Sequence, residues 1–204
     1  MRTFSHFLMT AGLQRRFRRS GIPVHAKGFL LGSVLPDIPL FALTAGYVVY
    51  YRWIDPIPAD LPFWTHYDPL FFRNPWWVAL HSLFHAPLLI GLMIVLGLYG
   101  VHTRAKWGGF LLWLAWGCAL HALIDIVTHH SDGPLIGFPL DWTYRFASPI
   151  SYWEPAYYGR FFTVFEYFLD GWLLLTLLRG RIRSVFARAR RQRGSPCGGL
   201  RHGG

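Results

Sequence analysis

Charge is what this sequence has least of. Only 15% of its 204 residues are Asp, Glu, Lys or Arg and 53% are hydrophobic, whereas an average soluble domain is roughly a quarter charged. A chain of this make-up lacks the polar surface of an ordinary water-soluble domain, which points to lipid as part of its solvent. Acidic residues are the scarcer kind, 10 against 20 Lys and Arg, for a net charge of +10. That excess would favour nucleic acid if it lay on a folded soluble surface. Most of it instead sits in the first 27 positions and after Leu178, so no nucleic-acid partner is expected. Cysteine is nearly absent: Cys118 falls in an apolar stretch and Cys197 in a Gly-rich tail, which excludes a disulfide framework and a CxxC metal site. There is no internal repeat. Nor is there a basic stub followed by an unbroken apolar core and a small-residue cleavage site, because His6, Thr10 and Arg15 to Arg19 interrupt it, so no cleaved signal is expected.

Long apolar runs are what the chain does have. Four approach the ~20 residues needed to cross a bilayer core: Phe29 to Tyr50, Trp77 to Gly100, Trp107 to Thr128 and Phe161 to Leu178. Pro36, Asp37 and Pro39 in the first run predict a broken or re-entrant helix there. The shorter run Phe4 to Leu13 reads as an amphipathic interfacial helix. The expected fold is therefore all-α, a polytopic membrane bundle of about four transmembrane helices plus an N-terminal interfacial or re-entrant helix. Residues 1–178 form a single membrane-embedded domain in this reading, and residues 179–204 a basic, disordered cytoplasmic tail, free or bound to anionic lipid.

All Lys and Arg lie outside the four runs. Sixteen are in the N-terminal segment, the 101–106 connection and the C-terminal tail, and only Arg52, Arg73, Arg145 and Arg160 are in the long loops 51–76 and 129–160. The positive-inside rule then places both termini in the cytoplasm. The long loops, rich in Trp and Tyr, fall on the outer side as a headgroup-level belt or a lid.

Against that apolar background a few ionisable residues stand out. A charged group within a span costs several kcal/mol unless it faces a cavity or a partner, so each marks a candidate site. His81 and His85 lie in the second run, His121, Asp125 and His129 at the end of the third, and Glu166 and Asp170 in the fourth. A spacing of four stacks each set on one helix face. At 1.5 Å per residue from the outer end, His81 and His85 lie ~6 and ~12 Å deep, His121 and Asp125 ~10 and ~5 Å, and Glu166 and Asp170 ~8 and ~14 Å. Imidazole and carboxylate groups at one depth are a ligand set for Zn²⁺, Mn²⁺ or Fe²⁺. Asp37 fits this less well, since a straight first span puts it ~20 Å deep, and His6 on a cytoplasmic interfacial helix would not reach the others.

The segments GSVLPDIPL, HSLFH and HALIDIVTHHSDGP resemble those of the membrane-bound, metal-dependent hydrolase family of bacteria, a group also likened to zinc-dependent phospholipase C. The likeness runs from Ser5-His6 through Gly32 to Asp37, His81 to Leu83, and His121 with Asp125, and it continues to about residue 155. It implies an integral protein of the bacterial cytoplasmic (inner) membrane with His6, Asp37, His81, His121 and Asp125 as metal ligands. Beside these, His85 extends the candidate ligand set. His129, His130, Asp132, Glu154 and Asp170 are expected helpers, and Asp125 and Glu166 candidate catalytic bases. The expected cofactor is a divalent metal, zinc first and manganese or iron next. The expected reaction is hydrolysis of a phosphodiester or ester of a lipid-like substrate by metal-activated water. Two other readings stand beside it: a non-catalytic metal- or proton-binding or transport protein, and a scaffold subunit of a membrane complex.

Overall fold

The structure, a computed structural model, describes residues 1–58 and 61–193, without the side chains of residues 180–193. Among the described residues the chain is all-helical: α1 (Thr3–Arg19), α2 (Ala26–Gly32), α3 (Asp37–Trp53), α4 (Trp64–Arg73), α5 (Pro75–Ser82), α6 (Pro87–His102), α7 (Gly108–Thr128) and α8 (Gly159–Arg193), with a short 3-10 turn at Pro155–Tyr157. Two helices, α7 and the Gly159–Arg179 part of α8, are long and apolar enough to cross a membrane, and the number rises to four if each of two bent pairs counts as one span.

Those bends have visible causes. The expected break in the first run separates α2 from α3, which meet at 47°. Pro36 stands at the end of the connection and has no N–H to carry the helical ladder through. A second break was not legible in the sequence. The HSLFH segment is no continuous helix: α5 stops at Ser82, Pro87 opens α6 as its first residue, and the two meet at 43°. The long loop before α5 also holds a helix, α4. Asn74 ends α4 and caps α5 by accepting from the backbone N–H groups of Trp76 and Trp77.

α7 is the hub of the bundle. α6 descends along it in the opposite direction, with Gly97 against Leu112 and Gly100 against Gly108. α2 rises beside it in the same direction, and there the backbones nearly touch. A Cβ on Gly32 would fall 2.1 Å from the Leu114 carbonyl oxygen, and one on Gly117 would fall 2.4 Å from that of Phe29. Only glycine lets the two helices approach so closely.

α1 is not an isolated surface helix. It packs along α8 in the same direction: Ser5 meets Glu166 and Asp170, Gly12 meets Leu173, and the Arg15 guanidinium reaches the carbonyl oxygens of Thr176 and Leu177. Ser5, His6, Leu8 and Thr10 are buried as a result. Its first turn thus lies inside the bundle, at the opposite end of the helix from Arg15, Arg16, Arg18 and Arg19. α8 remains helical through Arg193, so the expected disordered tail begins as helix, and its remainder, residues 194–204, lies outside the described residues. The outward faces of α6 and α8 are apolar, with Leu92, Val95, Phe165, Phe168 and Trp172 all exposed.

Candidate metal centre

Breaking a helix frees backbone groups that an intact helix would pair, and both breaks put such a group to use. At the first, Asp37 N–H donates to the Val34 carbonyl, leaving the carbonyl of Ser33 free. His121, rising on α7, directs Nδ1 at that oxygen from 2.8 Å. At the second, His85 N–H donates to Ser82 instead of His81, and His85 Nδ1 sits 2.8 Å from the freed His81 carbonyl. A carbonyl only accepts, so each Nδ1 carries a hydrogen, and each ring turns Nε2 inward.

What those nitrogens face is two carboxylates. His121 Nε2 lies 3.0 Å from Asp125 Oδ2 and 3.3 Å from Asp37 Oδ1, and His85 Nε2 lies 3.6 Å and 3.8 Å from the same two oxygens. A neutral ring would aim a lone pair at carboxylate oxygens there, and His121 Nε2 is a buried nitrogen with no hydrogen-bond partner. A cation among them resolves the conflict. The four groups offer one donor atom each, all within 4.8 Å of one another. Ligands at ~2.0–2.1 Å around tetrahedral zinc stand about 3.3 Å apart, so the spacing suits that ion. Two imidazoles and two carboxylates are also the donor chemistry zinc accepts.

The remaining residues singled out in the sequence divide by position. His6 does reach the centre, because α1 enters the bundle: Nε2 lies 3.0 Å from Asp125 Oδ1, and the ring stacks on His121 at 3.8 Å. His81 is buried beside His85, with ring centroids 4.6 Å apart. Both stand next to the four-residue group rather than in it. His129 faces Asp125 Oδ1 at 3.5 Å through Nε2 and holds Asp132 Oδ1 at 2.9 Å through Nδ1. Burial opposes charge on this pair, yet hydrogen bonds with Asp125 and Asp132 keep His129 above its ordinary pKa, and the bond from His129 keeps Asp132 below its own.

His130 is directed elsewhere, to the Ser148 carbonyl and the face of Tyr157. Glu154 ties Ser131 to Ser151 in the loop after α7. Glu166 and Asp170 form a separate network around the Ser5 hydroxyl, 2.7 and 2.9 Å away, and Arg2 N–H donates to Glu166. Neither lines the cavity described next, so Glu166 is not placed as a base there.

The centre opens into a cavity of about 1020 Å³. Asp37, His81, His85, Asp125 and His129 line it below. α3, α4 and the loop after α7 form its walls, and that loop brings Tyr152 and Trp153 over the opening. Hydrogen bonds from Tyr152 N–H to the Thr128 carbonyl and from the Ser148 hydroxyl to the Val127 carbonyl clasp the loop to the end of α7.

Several contributors had no signal in the sequence. Thr3 donates to Asp37 Oδ2, the main-chain nitrogen of Met1 lies 2.9 Å from Asp125 Oδ1, and Ser33 acts through its carbonyl. Backbone groups and short hydroxyl side chains of this kind become visible only once the chain is folded.

The comparisons agree with this chemistry. The sequence matches the zinc-dependent phospholipase C family over residues 3–193, and the chain belongs to that family. No curated protein and no solved structure matches it. The family and the buried Asp/His group together support a divalent metal cofactor, zinc, and a metal-dependent lipid hydrolase.

Proposed function

We propose that this protein is a membrane-embedded hydrolase that cleaves a lipid phosphodiester at a zinc centre held by Asp37, His85, His121 and Asp125. The observation that carries this reading is the convergence of two imidazoles anchored through Nδ1 and two carboxylates, all offering donor atoms within 4.8 Å of one another. Zinc bound there would supply Lewis-acid polarisation of a phosphoryl oxygen and, with water joining the four residues or displacing one of them, a water acidic enough to attack at neutral pH. The P–O bond to the glyceryl oxygen would break as the water oxygen joins phosphorus, the water losing a proton to solvent and the departing oxygen taking one.

His129 is the group placed to give that proton. It lines the cavity, and Asp132 holds its Nδ1, so Nε2 is oriented toward the reacting centre. Asp125 Oδ1 is taken by His6 and the Met1 nitrogen, and Oδ2 faces the two imidazoles within the cation-binding group. That makes Asp125 a ligand and not a base.

Residues 1–178 act as one membrane domain in this proposal. The apolar outer faces of α6 and α8 support embedding in lipid, since exposed patches of this kind are costly in water. The positive-inside rule puts the Arg15–Arg19 end of α1 and the C-terminal tail in the cytoplasm, with the centre toward the outer leaflet. Transport is less well supported, because Pro87 to Gly100 and Phe110 to Gly117 carry no charged side chain with which to continue a path.

The test is release of labelled headgroup from lipid by purified protein, with elemental analysis of the same sample. Stoichiometric zinc and chelator-sensitive release support the reading. Zinc-loaded protein that turns over no phospholipid, pyrophosphate or ester in a broad panel rejects it.

A further inference from the structure

Two helices rise from the centre with matched stripes. On α3, Leu40, Phe41 and Thr44 follow Asp37 at helical spacing, so the face that begins with a ligand continues as an apolar wall of the same cavity. On α4, Trp64, Tyr67, Phe71 and Phe72 repeat that spacing and line the opposite side, with Asp68 the one charged residue this helix adds to the lining, exposed at the cavity's edge. A hydrogen bond of 2.9 Å between Thr44 and Tyr67 ties the two walls together. The trough is not closed: Phe41 is 76% exposed, Trp64 58% and Phe72 43%, although all three line the cavity. Large apolar side chains that line a cavity and are also open to the outside mark a lateral mouth, not a core.

We propose that the trough between α3 and α4 holds an acyl chain of the lipid whose phosphate sits at the Asp/His centre, with Phe41 and Phe72 supplying its apolar contacts at the mouth. The inference rests on the hydrolase reading for the position of the phosphate. Its occupant follows from continuity: a single cavity joins a cation-binding floor to an apolar side opening, and a molecule complementary to both ends is an anionic headgroup joined to a hydrocarbon tail. From Asp37 to Thr44 the α3 wall rises ~10 Å, long enough for part of a chain, whose remainder would leave between Phe41 and Phe72.

Binding of inorganic phosphate and of n-alkyl phosphates, from butyl to decyl, to the zinc-loaded protein tests this without turnover. Each added methylene buried in the trough should tighten binding about fourfold until the trough is full. Phe41→Ser combined with Phe72→Ser should flatten that slope and leave phosphate affinity within about twofold. Leu40→Trp should end the gain at a shorter chain. Because Phe41 and Phe72 are exposed, their truncation opens no buried hole, and zinc content verifies the fold of each variant.

A slope identical in wild type and both variants overturns the proposal, since that is the result if Phe41 and Phe72 only face bulk lipid or another chain. Absence of any chain-length gain in the wild type, or of any probe binding, overturns it as well. The two readings fail separately. A variant-sensitive slope without lipid hydrolysis keeps the trough and removes the hydrolase, whereas hydrolysis with a variant-insensitive slope does the reverse.

Discussion

Asp125 and Glu166 look alike in the sequence, each an acidic residue inside an apolar run with a polar partner four positions away. The fold gives them opposite environments. Asp125 turns Oδ2 to two imidazoles anchored through Nδ1 on backbone carbonyls, within a four-residue donor set for a cation, while Oδ1 meets His6 and the Met1 nitrogen. Glu166 faces donors, the Ser5 hydroxyl and the Arg2 N–H, with the Arg2 guanidinium 3.9 Å away and stacked over Tyr167. One carboxylate is presented to an ion, and the other anchors the first turn of α1, from which Thr3 and His6 reach the centre. The difference lies in what surrounds each group, not in residue type, spacing or depth.

The largest effect that would break this distinction comes from the ligands. His121→Ala or Asp125→Ala should lose stoichiometric zinc and lower lipid hydrolysis about a thousandfold or more, because the ion is worth several kcal/mol of transition-state stabilisation and each 1.36 kcal/mol is a factor of ten. Glu166→Gln should keep its zinc in the same elemental analysis. Equal metal loss in all three would merge the two clusters into one.

Next is the contrast between neighbouring histidines. His85→Ala removes a ligand and should weaken zinc binding about a hundredfold or more, whereas His81→Ala perturbs only the packing around it and should cost about tenfold. Competition with a chromogenic chelator measures both, and the reverse order would return His81 to the ligand set.

A smaller change is expected on the α8 side. Glu166→Ala strands the donors of Arg2 and Ser5 and should lower unfolding stability by about 1–3 kcal/mol, read by denaturant titration of the zinc-loaded protein. Glu166→Gln, which preserves an acceptor, should recover much of that loss. If Glu166→Ala abolished turnover with stability intact, Glu166 would be catalytic after all. The smallest effect is Asp132→Asn, which loosens the orientation of His129. About a tenfold drop in kcat with zinc content unchanged is expected, and a wild-type rate would remove His129 from the proton-transfer role.

Much of this was legible beforehand. The helical class and the break around Pro36 follow from hydropathy and proline chemistry, and the spacing of four groups His85, His121 and Asp125, whereas Asp37 joins them only through the family resemblance. The depth estimate erred where it assumed straight helices. Asp37 was misplaced because α2 is only Ala26–Gly32 and α3 starts anew at Asp37, so the ligand heads a helix instead of lying deep within one. His6 was misplaced because the arginines at the far end of α1 set its expected position, although its first turn enters the bundle. The same depth rule grouped Glu166 and Asp170 with the histidines, since equal depth carries no information about which helix face points where. Pro87 could have signalled the second break, but a proline opening a helix and a proline interrupting one are indistinguishable in a uniformly apolar run.

The two kinks also bear on how this protein could be engineered. Replacing Pro36 or Pro87 with a strong helix former is a natural way to try to straighten these two helical runs. Here it would return the carbonyls of Ser33 and His81 to the backbone ladder and leave two imidazoles free to rotate. A straighter backbone would therefore come at the expense of the imidazole anchors, and engineering of this scaffold should hold both interruptions fixed.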